Sequence, residues 1–194
     1  MALRIQKHTM LHFLRAASIT RRYFVTNGFD GTLTMLGMLA GFYTSGMSDL
    51  SVAISACLGA AIALFISGLS SAYLSEKAER KKELFDLEQA LVADLKESDY
   101  GQASRYLPML VALVNGLSPF LLALVILTPL FVARQGYAFV QSPFIYAIII
   151  GLICVFTLGI FLGRISKTHW LWAGMKSLII AIVTVAIILF LGAP

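Results

Sequence analysis

The chain has 194 residues, of which 59% are hydrophobic and only 13% charged, with a mean hydropathy of +0.85. That balance excludes an ordinary water-soluble domain and points to an all-α integral membrane protein with one membrane domain. The net charge of +5 would suggest nucleic acid in a soluble protein, but here the basic residues fall between apolar stretches and sort by side of a bilayer, so no nucleic-acid partner is expected. Cys57 and Cys154 lie in apolar segments without CxxC spacing, which fits inert buried thiols rather than a disulfide framework or a thiolate metal site.

Residues 1–20 place Leu3, Met10, Leu14 and Ala17 at helical spacing with basic residues between them. The pattern predicts an amphipathic helix lying on the membrane surface. It has no apolar core of signal-peptide length, so no cleavable leader is expected. His8 and His12 are four apart, but no third ligand is near them in sequence.

The membrane domain follows over residues 21–194. Its first span, from about Tyr23 to Met47, contains a single acid, Asp30. This carboxylate sits roughly 12 Å of helix rise past Arg22, well inside the hydrocarbon. A carboxylate at that depth faces a bundle interior, a partner or a water-filled path. At about 100° per residue, Asn27, Asp30, Thr34, Gly37, Met38, Gly41 and Ser45 share one face, with Leu33, Leu36 and Phe42 mostly away from it. Two uses of Asp30 fit: packing against a neighbouring helix, and handling an ion or proton.

After a tight turn at Ser48 and Asp49, the second span runs from about Leu50 to Ser75. Ser51, Ser55, Gly59, Ala63, Ser67, Ser71 and Ser75 recur every fourth position. Such stripes let helix backbones approach closely in lipid, which puts this helix at the centre of the bundle or at a dimer interface. The chain then leaves the membrane without a helix breaker, giving a cytosolic acidic helical connection over 76–104. Leu84, Leu87, Leu91 and Leu95 form its apolar stripe, and Glu76, Glu79, Glu83, Asp86, Asp94 and Glu97 cluster beside it within about 80° of arc. Carboxylates three and four apart can converge on a hard divalent cation, with Glu76, Glu79, Glu83 and Asp86 the nearest set. Equally, Glu76 with Arg80 and Glu79 with Lys82 stand at ion-pair spacing on a solvated helix.

The third span, about Arg105 to Val132, is interrupted by Asn115, Gly116, Ser118 and Pro119, which predicts a kink with carbonyls short of donors. The fourth runs from about Pro143 to Leu162 and the fifth from about Leu171 to Leu191, with Trp170 and Trp172 at interfacial depth. With the N-terminus inside, the tail (Arg4, Lys7, Arg15, Arg21, Arg22), the 76–105 connection (Lys77, Arg80, Lys81, Lys82, Lys96, Arg105) and the 164–176 connection (Arg164, Lys167, Lys176) hold all the Lys and Arg but Arg134. This asymmetry predicts five transmembrane helices, N-terminus in and C-terminus out.

Asn27 to Phe42, NGFDGTLTMLGMLAGF, resembles the first-span signature of the vacuolar iron transporter family, an Asp-Gly followed by an apolar residue and a Thr or Ser, then a run ending in Ala-Gly. SGLSSAYLS (Ser67 to Ser75) is similar to the end of that family's second span, Gly116-Leu-Ser-Pro119 to its third, and LGIFLGRIS with Gly174 to its fourth-to-fifth connection. The likeness covers roughly residues 21 to 192 and is that of a divergent, prokaryotic-type member. It implies export of Fe2+ or Mn2+ from the cytosol, by proton antiport, through a homodimer with Asp30 on a central pathway, in the cell membrane of a prokaryote. By the same resemblance the 76–99 helix is a reduced metal-collecting element, while Ala72 and Gly68 stand where a glutamate and a methionine are usual.

These readings make Asp30, Asn27, Thr34, Met38 and Asn115 the expected pathway, with Asp30, Glu76, Glu79, Glu83 and Asp86 as metal ligands. Oxygen donors with one thioether suit Fe2+ or Mn2+, as cargo rather than a resident cofactor. Two alternatives share the fold: a non-transporting membrane protein that binds a partner through 76–104, and a transporter of another ion or small solute. No Ser/His/Asp grouping, phosphate loop or thiolate pair points to an enzyme.

Overall fold

Helix α1 spans Ala2–Thr44, α2 Leu50–Leu91, α3 Asp99–Arg134, α4 Pro143–Ile165 and α5 Trp170–Leu191. The computed structural model describes residues 2–136 and 142–191, with side chains from residue 18 onward. The expectations for His8, His12 and the amphipathic side chains before residue 18 lie outside the described residues. The backbone there does differ from the expected separate helix, because α1 runs unbroken through residue 20. No Gly or Pro stands between Ala2 and Asn27 to stop it.

Among the described residues α2, α3, α4 and α5 are long and apolar enough to cross a membrane. In α2 and α5 only 22% of the most apolar stretch is buried inside the protein, so the rest of that surface suits lipid. Helix α1 is not one of the four. Asn27, Asp30, Thr32, Thr34 and the glycines at 28, 31, 37 and 41 dilute its apolar content.

The helix ends follow local chemistry. Gly46 has φ +66 after α1. The Met47 and Gly46 amides donate to the Phe42 and Tyr43 carbonyls at 3.1 and 3.3 Å, a Schellman closure. Asp49 then caps α2 by accepting from the Ser51 amide at 2.8 Å. At its other end α2 stops at Leu91, short of the continuous helical connection expected over 76–104. Val92 takes φ 51, and Glu88 and Asp94 accept from the Leu95 and Lys96 amides at 3.0 and 2.9 Å. Local carboxylates thus satisfy the backbone in a turn. Asp94 and Glu97 consequently leave the helical face they were expected to share with Glu76.

The chain divides into two compact units. One comprises Val25–Leu64 and Ser118–Pro194. Its core joins Met35 and Leu39 of α1, Ile54 and Cys57 of α2, Ile126, Leu127 and Leu130 of α3, and Phe144 and Cys154 of α4. A second cluster joins Leu36 and Ala40 to Val155, Ala181 and Val185. Both cysteines are free and buried. The other unit comprises Met1–Phe24 and Phe65–Leu117, where Gly116 brings α3 against α2. A Cβ at Gly116 would stand 2.7 Å from the Phe65 carbonyl oxygen.

Helix α3 is not interrupted at Asn115–Pro119. Pro119 removes one amide donor, but close packing holds the backbone on either side, Gly116 on Phe65 in one unit and Pro119 on Gly31 in the other. The small-residue stripe of α2 faces outward along its whole length, since Ser51, Ser55, Gly59, Ala63, Ser67, Ser71 and Ser75 are all exposed. It does not sit at the centre of the chain's own bundle. Gly116→Ala, which meets backbone that cannot yield, should destabilise the fold by about 1–3 kcal/mol. Gly59→Ala, with nothing within 4 Å, should leave it unchanged. Thermal unfolding of the two variants in detergent, at a dilution that keeps the chain monomeric, checks the contrast.

Candidate functional site

The site begins with the orientation of α1. Thr32, Met35, Leu36, Leu39 and Ala40 are fully buried, whereas Thr26, Asp30 and Thr34 are exposed. Two glycines set this rotation. A Cβ at Gly31 would overlap Pro119 and stand 2.7 Å from its Cα, and one at Gly28 would stand 2.9 Å from the Ser118 hydroxyl. With that edge of α1 pressed on α3, and with Leu36 against Gly151 of α4, the Asp30 edge is the one left open.

Within the chain, the Asp30 carboxylate forms no hydrogen bond or ion pair among the described residues. Its carbonyl accepts from the Thr34 hydroxyl at 2.7 Å. This bond uses the hydroxyl hydrogen and leaves the oxygen lone pairs free to act as a donor to a cation. Asn27 is half-buried on the same side. Met38 departs from its expected role, being partly buried and packed against the core cluster. The helical wheel places it near the edge of the polar strip, and the apolar thioether turns toward the core.

Asn115 belongs to the other unit. It is 3% exposed, and its side-chain amide donates to the Gly68 carbonyl at 2.6 Å. A Cβ at Gly68 would stand 3.3 Å from Gly116 Cα, so the missing side chain at 68 is what lets α2 and α3 meet here. Ala72 is 3% exposed in the same unit.

The acidic helix splits rather than converges. Arg80 reaches Glu83 at 2.7 Å and Glu76 at 3.4 Å, and the Tyr100 hydroxyl donates to the same Glu83 oxygen at 3.1 Å. Glu76 is 7% exposed, so the guanidinium is the cation that compensates a buried carboxylate. Glu79 and Asp86 face solvent. Among the described residues, no three His, Cys, Asp or Glu groups come together as a metal site. The expected Glu76–Arg80 pair forms, and Glu79–Lys82 is not among the ion pairs. Sequence spacing carried the Glu76–Arg80 pair but neither the Arg80–Glu83 pair nor Tyr100, which reaches Glu83 only because the chain turns back after Leu91. Burial pushes the Tyr100 phenol above its ordinary ionisation range, and the bond to Glu83 adds to the shift.

No family model matches the chain. It is 31% identical over 173 residues to "Uncharacterized protein MJ0645" of Methanocaldococcus jannaschii, an alignment that covers 88% of this chain and 86% of that protein.

Removing the guanidinium by Arg80→Leu should cost about 2–3 kcal/mol by leaving Glu76 buried and unpaired, against about 1 kcal/mol for Tyr100→Phe. The Tyr100 contribution has a defined pH window. Its folded pKa is raised, so the stabilisation is complete below the unfolded value of about 10 and is lost as pH rises through the folded value. Unfolding of native and Tyr100→Phe protein across alkaline pH should show this fall only where the phenol is present.

Proposed function

The chain belongs to the same family as this archaeal protein, and we propose that it is a divalent-metal transporter that moves Fe2+ or Mn2+ out of the cytosol, in the manner of the vacuolar iron transporters. The observation that carries the reading is Asp30, a carboxylate exposed on α1 with no hydrogen bond or ion pair among the described residues, on a helix whose opposite side is core. In lipid that face needs cover. A second copy of the chain supplies it in this proposal, aided by the exposed Ser55, Gly59 and Ala63 of α2, which allow close backbone approach. Two Asp30 carboxylates, with Thr34 and Asn27 beside them, then make an oxygen-rich site suited to a hard or borderline divalent ion. Like charges brought together share protons, which provides the coupling for antiport.

Under this reading α1 is the fifth span, polar because it lines the path. The N-terminus is cytosolic, the C-terminus outside, and the membrane is the cell membrane of a prokaryote. Glu76 and Glu83 are taken by Arg80, so collection of cations at the entrance falls to Glu79 and Asp86. Met38 and Asn115 act as packing groups.

A second reading has its own observation. Arg80 fills the cluster expected to bind metal, and Ala72 and Gly68 bring no ligand, as suits a non-transporting protein that binds a partner through 76–104. Proteoliposomes under a pH gradient separate the two. The transporter reading expects Mn2+ and Fe2+ flux that falls to the level of empty vesicles in Asp30→Asn and is merely slowed by Glu79→Gln with Asp86→Asn. Native-like flux in a folded Asp30→Asn variant would contradict it.

A further inference from the structure

The α4–α5 connection gathers three cations that form no ion pair among the described residues. From Gly101 to Pro194 the sequence has no Asp or Glu, and none of the ion pairs among the described residues uses Arg164, Lys167 or Lys176. All three are exposed.

Their presentation is built by the fold. Helix α4 closes with the Ser166 amide on the Leu162 carbonyl at 3.0 Å and the Thr168 amide on the Gly163 carbonyl at 3.1 Å. The second is the six-to-one bond of a Schellman ending, in which the left-handed position is usually glycine. Here it is Lys167, at φ 54, exposed at the tip of the turn. Arg164 lies over the Trp170 ring at 6.0 Å from the centroid. Trp172 and Lys176, four apart on α5, share an outward face.

Apolar groups flank these charges. Trp170 is 43% exposed, Trp172 65%, Leu162 44% and Met175 45%. A soluble anion or an acidic loop would meet the cations and leave this apolar surface wet. An anionic phospholipid satisfies both parts, with phosphate at the lysines and arginine, and glycerol and acyl chain along the tryptophans and the apolar residues. We propose that the α4–α5 connection is a binding site for anionic phospholipid headgroups, with Arg164, Lys167 and Lys176 as the phosphate contacts and Trp170 and Trp172 as the interfacial floor. This site does not depend on metal transport or on which leaflet the connection faces.

The test uses the chain's own reporters, because Trp170 and Trp172 are its two tryptophans. The full chain is reconstituted in vesicles of mixed lipid in which either phosphatidylglycerol or phosphatidylcholine carries dibrominated acyl chains, and tryptophan quenching gives the relative occupancy of the adjacent lipid positions. The native protein should favour phosphatidylglycerol by about fivefold, the scale of one basic residue held near an anionic surface. Changing Arg164, Lys167 and Lys176 together to Gln should bring the ratio to one. Lys167→Gly guards against a folding artefact, since glycine relieves the left-handed backbone while removing the charge. It should keep native thermal stability and still weaken the preference. Equal quenching by the two lipids in the native protein, or a preference unchanged in the triple and the glycine variants, would overturn the proposal.

Discussion

The constraint on which the rest depends is that a carboxylate within a hydrocarbon layer must be covered. Asp30 sits on a helix whose far side is committed to an apolar core of fully buried residues, so rotation of α1 cannot hide it. Gly31 on Pro119 and Leu36 on Gly151 fix that rotation by contact. The penalty for an exposed intramembrane acid is a few kcal/mol even on lenient scales, comparable to a large part of the net stability of a domain. Under the proposed reading of α1 as a span, Asp30 needs a covering surface outside the chain, and the outward small-residue face of α2 is a second feature that a packed neighbour would explain.

Charge is handled differently at the two ends of the acidic and basic segments. In the 76–100 region opposite charges meet within the chain. Glu76 is carried into a buried position by Arg80, and Glu83 is shared between Arg80 and Tyr100. In the α4–α5 connection Arg164, Lys167 and Lys176 form no ion pair among the described residues, and these cations stay on the surface. The same residue types therefore serve internal structure in one place and, in the proposed lipid site, an external partner in the other. What decides is whether a complementary charge lies within reach along the helix.

Much of this was legible in the sequence wherever one local rule acts alone. The polar strip through Asp30 and Thr34 follows from helical spacing, the close of α1 within three residues of the expected Met47 from the end of its apolar run, and the Glu76–Arg80 pair from its four-residue interval. Features that depend on distant residues were not. Val92 is a poor turn former, and the end of α2 at Leu91 rests on Glu88 and Asp94 reaching amides beyond it. Tyr100 finds Glu83 only after that reversal. Pro119 reads as a helix breaker by itself, yet Gly31 receives it and α3 continues. The stripe on α2 had two readings, at the centre of the bundle or at a dimer interface. Only the packing of Ala53, Ile54, Cys57 and Ala61 into the core turns the serines and Gly59 outward. Met38 lies near the boundary between strip and core, where a helical wheel does not separate the two.

The central claim is that the Asp30 face of one chain meets the same face of another, and proximity across that contact is the direct measurement. Thr34→Cys places a thiol one turn from Asp30 on the exposed strip, while Cys57 and Cys154 are buried and remain as silent background. Mild oxidation in native membranes should give a reducible dimer from Thr34→Cys, and none from Tyr146→Cys, a control at an exposed position on α4. Absence of the Thr34→Cys dimer in folded protein, or equal cross-linking at both positions, would contradict the account.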